Sequence, residues 1–193
     1  RLGFLATVQK DNIDKFMQFI IDKKYSVSKR TLLSLTCSPD NEAIQDINFA
    51  LNEISVSRKE TTSMITIETY LNDEYLNSYW ADGLIIATPT GTTGYSMSCG
   101  GPILTPDVKS IVLTPIAPHN LNARPLVVPD ETEIRLKVSG RDDHYMVSLD
   151  SRIISVKNET ILVIKKSPFE INMVEIPEKT FLKTLRNKLF WGE

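Results

Sequence analysis

Cysteine and histidine are scarce in this sequence, with two residues of each among 193. Cys37 and Cys99 are too few for a disulfide framework, and two histidines offer little for a metal site, so we predict neither. Free thiols persist in reducing compartments, and we therefore expect a cytoplasmic protein. No apolar run approaches the roughly 18 residues that span a bilayer, and no signal-peptide pattern stands at the start. We expect no membrane partner.

The chain also lacks a surplus of basic residues, since 22 Lys and Arg against 24 Asp and Glu give a net charge of −2. The basic residues are scattered, so the positive patch of a nucleic-acid-binding protein is not predicted. With 41% hydrophobic and 24% charged residues, the composition is that of an ordinary globular protein. The length suits one large domain or a domain with an additional segment.

Short segments in which apolar and polar residues alternate make up most of the chain, and turn residues separate them. This pattern is typical of antiparallel strands with one buried face. The predicted strands are residues 25–38, 47–57, 63–71, 74–80, 84–87, 111–114, 132–139, 145–149, 153–156 and 160–165. Strands at this spacing favour an antiparallel β-sandwich over a Rossmann unit.

Two helices are predicted beside the strands. Asp11 or Asn12 can cap the first, in which Ile13, Phe16, Met17, Ile20 and Ile21 fall on one face. The second covers residues 178–189, after Pro177, and residues 39–42 are predicted to form a loop. The predicted fold class is therefore β-rich α+β, a sandwich-like antiparallel structure with a few short helices.

Residues 82–102 combine a short apolar strand with a turn rich in glycine, serine and threonine. Such a turn presents backbone N–H groups and hydroxyls that can hold phosphate or ribose oxygens. Tyr95, in the middle of the turn, offers a flat face on which a base can stack. A tight turn between two core elements would produce the same spacing, so the spacing alone leaves both interpretations open.

An asparagine and a glutamate, Asn52 and Glu53, interrupt an otherwise apolar segment. Burying such polar groups is unfavourable unless they find partners. One interpretation is a strand end whose two polar side chains face solvent. The other is a binding step, in which the amide of Asn52 and the carboxylate of Glu53 are ligand contacts.

The order of residues in 82–103 resembles the signature of the NAD kinase family. The family has Asp-Gly-Leu-Ile, then Thr-Pro-Thr-Gly-Ser-Thr-Ala-Tyr, then Ser-x-Gly-Gly-Pro-Ile; here Thr92 replaces the usual Ser and Gly94 the usual Ala. Residues 118–129 resemble the family run Pro-His-x-Leu-x-x-Arg-Pro-Leu-Val-Val-Pro, and residues 1–5 resemble the segment that follows the family's N-terminal domain. That domain carries a Gly-Gly-Asp-Gly-Thr motif with the catalytic base, which does not occur in this chain.

The resemblance implies an enzyme that transfers the γ-phosphoryl of ATP, with Mg²⁺ or another divalent cation, to the adenosine-ribose 2′-hydroxyl of NAD, giving NADP. It implies a homo-oligomer, a dimer or a tetramer. Without the base, this chain would be the C-terminal portion, inactive by itself. The expected division is a remnant of the N-terminal domain with a linking helix at residues 1–24, an NAD-binding domain at 25–176 and a helical tail at 177–193 that packs on the N-terminal domain.

The resemblance also assigns site residues. Asn52 would bind the adenine edge and Glu53 the ribose hydroxyls, while Asp82, contributed across a subunit interface, and the backbone at Ala117 would lie at the nicotinamide end. The dinucleotide pocket would be lined by Thr93, Gly94, Tyr95, Ser96, Met97 and Ser98. Weaker correspondences are Ser63 and Arg152, the latter replacing a usual Gln in an Asp-Ser-Gln turn, where its charge could meet a phosphate. No catalytic residue is assigned in this chain.

Two other functions stay open. A lipid or diacylglycerol-type kinase resembles the NAD kinases in fold, but a lipid acceptor needs no adenine contacts such as Asn52 would supply. A non-catalytic nucleotide-binding domain is the second. Titration with NAD, NADP and a lipid acceptor separates the three.

Overall fold

The structure is a computed structural model that describes residues 4–5, 8, 10–59, 63–177 and 180–190. In chain order the strands within these ranges are β1 Ser26–Ser38, β2 Phe49–Ala50, β3 Glu53–Ser57, β4 Ile65–Leu71, β5 Glu74–Ala81, β6 Gly83–Ala87, β7 Ser110–Ile116, β8 Leu126–Pro129, β9 Ile134–Ser139, β10 His144–Leu149, β11 Arg152–Lys157 and β12 Ile161–Glu175. The α-helices are α1 Ile13–Ile21, α2 Glu42–Asp46, α3 Tyr95–Ser98 and α4 Phe181–Leu189, and single 3-10 turns cover Lys10–Asn12 and Gly91–Thr93.

The strands form two six-stranded sheets. The first has the order β2-β1-β12-β9-β4-β5, and the second has the order β11-β10-β3-β6-β7-β8. All pairs of neighbouring strands are antiparallel. The expected β-rich α+β fold with an antiparallel sandwich is confirmed.

The core lies between the sheets, where alternate residues of each strand meet. Leu33, Leu35 and Ile67 from the first sheet belong to the same buried cluster as Ile54 and Val56 from the second. In β4 and β9 buried residues alternate with partly exposed ones, as the pleat requires. Strand β6 differs because all five of its residues are buried, and α3 packs against it. This cover places the glycine-rich stretch directly on the second sheet.

The predicted strand over residues 47–57 is wrong in one respect, because the chain leaves one sheet and enters the other in its middle. Strand β2 belongs to the first sheet and β3 to the second, with Leu51 and Asn52 between them. The peptide groups at this break bond to Asp150 and Thr88 rather than to a neighbouring strand. The polar step found in the sequence is thus the crossing point between the sheets.

Three further boundaries differ from the predictions. Strand β12 continues past Lys165 to Glu175 because it pairs with β1 along the whole of β1, from Ser26 opposite Glu175 to Ser38 opposite Ile161. Helix α2 begins inside the predicted 39–42 loop, where Asn41 accepts a hydrogen bond from the Ala43 N–H at 3.1 Å. Strand β8 was not predicted.

The predicted helices are confirmed with small changes, but the expected cap of the first is not: Asn12 lies at the N-cap of α1 without a side-chain capping hydrogen bond. Helix α1 contains all the residues of the predicted apolar face. Helix α4 begins at Phe181, and the Thr180 hydroxyl before it accepts the Lys183 N–H at 3.3 Å. Residues 178–179, where the second helix was expected to begin, lie outside the described residues. No helix in the described ranges is long and apolar enough to cross a membrane.

Candidate functional site

Asn52 and Glu53, called the Asn-Glu step below, lie some forty positions before the glycine-rich turn of residues 82–102. The two segments are nevertheless packed backbone to backbone. A Cβ atom on Gly91 would lie 1.9 Å from the carbonyl oxygen of Asn52. That carbonyl accepts the N–H of Thr88 at 2.9 Å, and the Thr88 hydroxyl donates to the Leu51 carbonyl at 2.6 Å. Only a residue without a side chain fits at position 91. The two motifs singled out in the sequence therefore form one local structure.

Buried hydroxyls hold the turn in shape. The Gly91 N–H donates to the Thr88 hydroxyl at 3.1 Å. The Thr92 hydroxyl donates to the Pro89 carbonyl at 2.7 Å and accepts the Leu104 N–H at 3.0 Å. Thr88 and Thr92 are fully buried. These threonines thus shape the turn from inside.

The residues from Thr93 to Ser98 do not all face the same way. Gly94, Tyr95 and Ser98 are exposed, whereas Thr93 and Met97 are partly buried. Ser96 is fully buried, and its hydroxyl lies 2.8 Å from that of Thr114 on β7. The Ser96 side chain thus joins α3 to β7 inside the protein and does not point outward with its neighbours.

Glu53 lies at the start of β3, directly under the turn. Its Oε2 would be 3.5 Å from a Cβ atom on Gly94, and this oxygen is buried with no hydrogen-bond partner among the described residues. Burial first, and then the nearby charge of Asp150, raise the pKa of Glu53 to about 7. At neutral pH the group is therefore a mixture of carboxylate and carboxylic acid, able to accept or donate a hydrogen bond.

Asp150 binds the Asn-Glu step from the side opposite to Thr88. Its Oδ2 accepts the Leu51 N–H at 3.0 Å, and its Oδ1 accepts the N–H groups of Asn52 at 2.7 Å and Glu53 at 3.2 Å. Sequence reasoning identified residues 150–152 as a turn but did not find this contact, because Asp150 lies 97 residues beyond Glu53. The sequence offers one indication of this contact, an aspartate at the tip of a tight turn.

Arg152, the second charged residue of that turn, is directed at backbone oxygens. Its guanidinium donates to the carbonyls of Leu149 and Ile47, both at 3.2 Å, and to that of Phe49. It also lies over the Phe49 ring, 5.6 Å from the centroid. The charge at this position thus secures the segment that leads into the Asn-Glu step.

Tyr95 and Asp82 share an open cleft of about 280 Å³ on one side of the turn. Asp82 forms an ion pair with Arg58, 2.8 Å from Oδ1 to Nε, and its N–H donates to the Ile116 carbonyl at 3.0 Å. Burial is the largest cause that raises the pKa of Tyr95, followed by the neighbouring Cys99 thiol and then by the charge of Asp82. The cleft is lined by Ser57, Arg58, Lys59, Asp82, Tyr95 and Ile116.

Ala117 directly follows Ile116, the last residue that lines this cleft, and it is exposed, with a backbone φ of 43°. Ser63 lies two residues before β4 of the first sheet and next to the undescribed residues 60–62. The structure therefore brings the Asn52–Glu53 backbone and the glycine-rich turn together and places Asp82 in the same cleft as Tyr95, with Ala117 next in sequence to the cleft residue Ile116.

The loop after β7 is tied down by its own side chains. The Arg124 guanidinium donates to the carbonyls of Leu121 at 2.7 Å and Ala123 at 2.8 Å. The His119 ring packs on Trp80 with centroids 4.4 Å apart.

Among the described residues, no group of three or more His, Cys, Asp and Glu side chains is arranged to hold a metal ion.

Comparison with protein families gives a match over residues 51–176 to the ATP-NAD kinase C-terminal domain. The chain belongs to the ATP-NAD kinase C-terminal domain family. The match begins at the Asn-Glu step and includes the glycine-rich turn and the Asp150 turn. The sequence resemblance to NAD kinases is thereby confirmed.

Relatives of this NAD kinase family cover the whole chain. An NAD kinase of Flavobacterium psychrophilum is 76% identical over 193 residues, and one of Christiangramia forsetii is 58% identical over the same length. An NAD kinase of Bacteroides fragilis is 42% identical over 192 residues. The chain spans 66% of the length of each of these relatives.

Solved structures agree with the family assignment. The crystal structure of yeast NADH kinase complexed with NADH superposes with a TM-score of 0.90 over the whole chain and 58% of that protein; at 24% identity this similarity concerns the fold. An NAD kinase from Archaeoglobus fulgidus in complex with ATP is 28% identical, with a TM-score of 0.79 over 98% of this chain and 70% of that one.

Proposed function

We propose that this chain is the dinucleotide-binding part of an NAD kinase, an enzyme that transfers the γ-phosphoryl of ATP to the adenosine-ribose 2′-hydroxyl of NAD. The observation that carries the proposal is the packing of the Asn-Glu step against the glycine-rich turn, with Gly91 on Asn52. Phosphoryl transfer depends mainly on positioning and charge stabilisation. This chain supplies the positioning of the acceptor.

In this proposal Asn52 binds the adenine edge, and Glu53 binds the ribose hydroxyls. A buried oxygen without a partner is unfavourable, and a ribose hydroxyl donating to Oε2 of Glu53 would remove that penalty. The pKa near 7 lets the same carboxyl group also donate to a second hydroxyl. The residue types and their placement thus suit a diol.

Tyr95 provides the stacking surface, beside the exposed Gly94 and Ser98 and the partly buried Thr93 and Met97. Ser96 supports this surface from below through Thr114. Asp82 and the backbone at Ala117 are assigned to the nicotinamide end. Ser63 and Arg152 are not assigned to a particular part of the ligand. Three N–H groups of Arg152 already donate to backbone carbonyls.

The catalytic base is assigned to the Gly-Gly-Asp-Gly-Thr motif of the family, which does not occur in this chain. A role for Mg²⁺ or another divalent cation stays a prediction from the resemblance, and no step through it is assigned to the described residues. We expect the isolated chain to form no NADP. Three further statements stay predictions: assembly into a dimer or tetramer, a cytoplasmic location, and the division of the chain at residues 24 and 176. Light scattering coupled to size-exclusion chromatography tests the assembly.

Calorimetric titration of the 193-residue chain with NAD tests the proposal. We expect weak binding, which Tyr95→Ala weakens further by about tenfold and Tyr95→Phe leaves nearly unchanged, because stacking needs the ring and not the hydroxyl. Tyr75→Ala is the matched control, since Tyr75 is similarly exposed but lies on the β4–β5 hairpin. Binding of diacylglycerol vesicles without NAD binding, or NADP formation by the chain alone, would contradict the proposal.

A further inference from the structure

We propose that Asp150 is a positioning residue for the dinucleotide site: its carboxylate fixes the backbone of residues 51–53, and thereby the direction in which the Asn52 and Glu53 side chains reach the ligand. This inference rests on the proposed function and adds to it. Asp150 acts through the two site residues and needs no contact with the ligand itself.

The first argument is the number of donors that one carboxylate satisfies. Both of its oxygens are used: Oδ2 accepts the Leu51 N–H, and Oδ1 accepts the N–H groups of Asn52 and Glu53, over distances of 2.7 to 3.2 Å. Hydrogen bonds to an ionised acceptor are about twice as strong as neutral ones. Three consecutive peptide groups are therefore oriented by a single side chain.

The second argument is that two of these three residues, Leu51 and Asn52, have no strand partner of their own. Leu51 and Asn52 lie between β2 and β3, where the chain passes from one sheet to the other. Thr88 bonds the carbonyls of both residues, and Asp150 bonds their N–H groups. Because peptide orientation sets the direction of the Cα–Cβ bond, the position of the Asn52 side chain depends on both contacts.

The third argument is that the turn carrying Asp150 is itself fixed. Asp150 has a φ of 54°, its N–H donates to the Glu53 carbonyl at 2.9 Å, and its own carbonyl accepts the Ser148 hydroxyl at 2.7 Å. The carboxylate is thus held in place before any ligand arrives. Binding groups need this kind of support, since small displacements weaken a site strongly.

Asp150→Asn is the test variant, and Asp73→Asn is its matched control. The amide that replaces the Asp150 carboxylate must place a donor against at least one of the three N–H groups, whereas the shape of the side chain is kept. Asp73 is also an aspartate at positive φ, 66°, in a turn between antiparallel strands, but its carboxylate pairs with Arg135 in the other sheet.

Amide hydrogen exchange of the free protein is the first readout. We expect exchange at residues 51–53 to accelerate about tenfold in Asp150→Asn, because one charged hydrogen bond is lost. In Asp73→Asn the exchange at these residues should stay at the wild-type rate. If Asp150→Asn does not fold, Ser148→Ala loosens the same turn and should accelerate exchange at the same residues to a smaller extent. Unchanged rates in these variants overturn the proposal.

NAD affinity is the second readout. We expect Asp150→Asn to bind NAD about tenfold more weakly, and this loss to shrink to about threefold or less in an Asn52→Ala background, because a residue that acts through Asn52 is not additive with it. A full loss in that background, or a loss no larger than that of Asp73→Asn, overturns the positioning role. If the wild-type chain binds no NAD, the proposed function fails, and the positioning role fails with it. Normal wild-type binding with unchanged affinity in Asp150→Asn defeats the positioning role alone.

Discussion

Gly91 and Asn52 touch through their backbones, and a Cβ atom on Gly91 would lie 1.9 Å from the Asn52 carbonyl oxygen and 2.4 Å from its carbonyl carbon. Both partners of this contact are main chain, so neither can move aside by rotating a side chain. The contact fixes the distance between the turn that carries Tyr95 and the step that carries Glu53. The shape of the candidate site depends on it.

Gly91→Ala should therefore destabilise the chain, by about 3 kcal/mol, because the added methyl group forces two backbone segments apart. Urea denaturation measures the loss. Gly94→Ala is the control: its added Cβ would lie 3.2 Å from the Gly91 carbonyl and 3.5 Å from the Glu53 carboxylate, and alanine is the residue usual in the family. Equal stability of the two variants would show that the tight contact does not matter.

The raised pKa of Glu53 makes stability depend on pH. The pKa changes from about 4.5 in the unfolded chain to about 7 in the folded one, so the folded state binds more protons between these values. The contribution of Glu53 to the free energy of unfolding is thus fully present below pH 4.5 and is lost as pH rises through 7.

Glu53→Gln should remove this dependence and be more stable than wild type at pH 8, by about 1 kcal/mol once partial exposure is allowed for. Urea titrations at about pH 5, 6, 7 and 8 measure it. Glu74→Gln, on the exposed β4–β5 turn, should keep the wild-type profile. A Glu53→Gln variant that is less stable than wild type at the highest pH argues against a buried, unpartnered carboxyl group.

Two serines of α3 should respond differently to loss of the hydroxyl. Ser96→Ala leaves the buried Thr114 hydroxyl without its partner and should reduce stability by about 1–2 kcal/mol. Ser98→Ala, at an exposed position, should change stability by about 0.5 kcal/mol or less. Thermal and urea denaturation of both variants check the difference, and the reverse order would mean that α3 is rotated relative to β7.

Arg152→Lys separates a structural from a ligand-binding role for this charge. Lysine keeps the charge but cannot bond three carbonyls from one planar group, so we expect a stability loss of about 2 kcal/mol and an NAD affinity close to wild type. Arg141→Lys, in an exposed turn, is the control. Unchanged stability with weakened binding would instead assign Arg152 to a phosphate.

The sequence by itself determined most of the strands and the family. Alternating residues in segments such as 132–139 and 145–149 predict one buried face, because successive side chains of a strand point to opposite sides. The residue order in 82–103 identified the family without any coordinates. Both are local properties, because each is contained in one continuous segment of the sequence.

Only the tertiary structure decided what the polar step touches. Asp150 and Thr88 bond the backbone of residues 51–53 from opposite sides, Ser96 turns inward to Thr114, and Arg152 donates to the carbonyls of Leu149, Ile47 and Phe49. Local periodicity sets which way a side chain points relative to its own strand. It does not set which distant groups lie opposite. Burial in the folded protein, and then the nearby charge of Asp150, raise the pKa of Glu53.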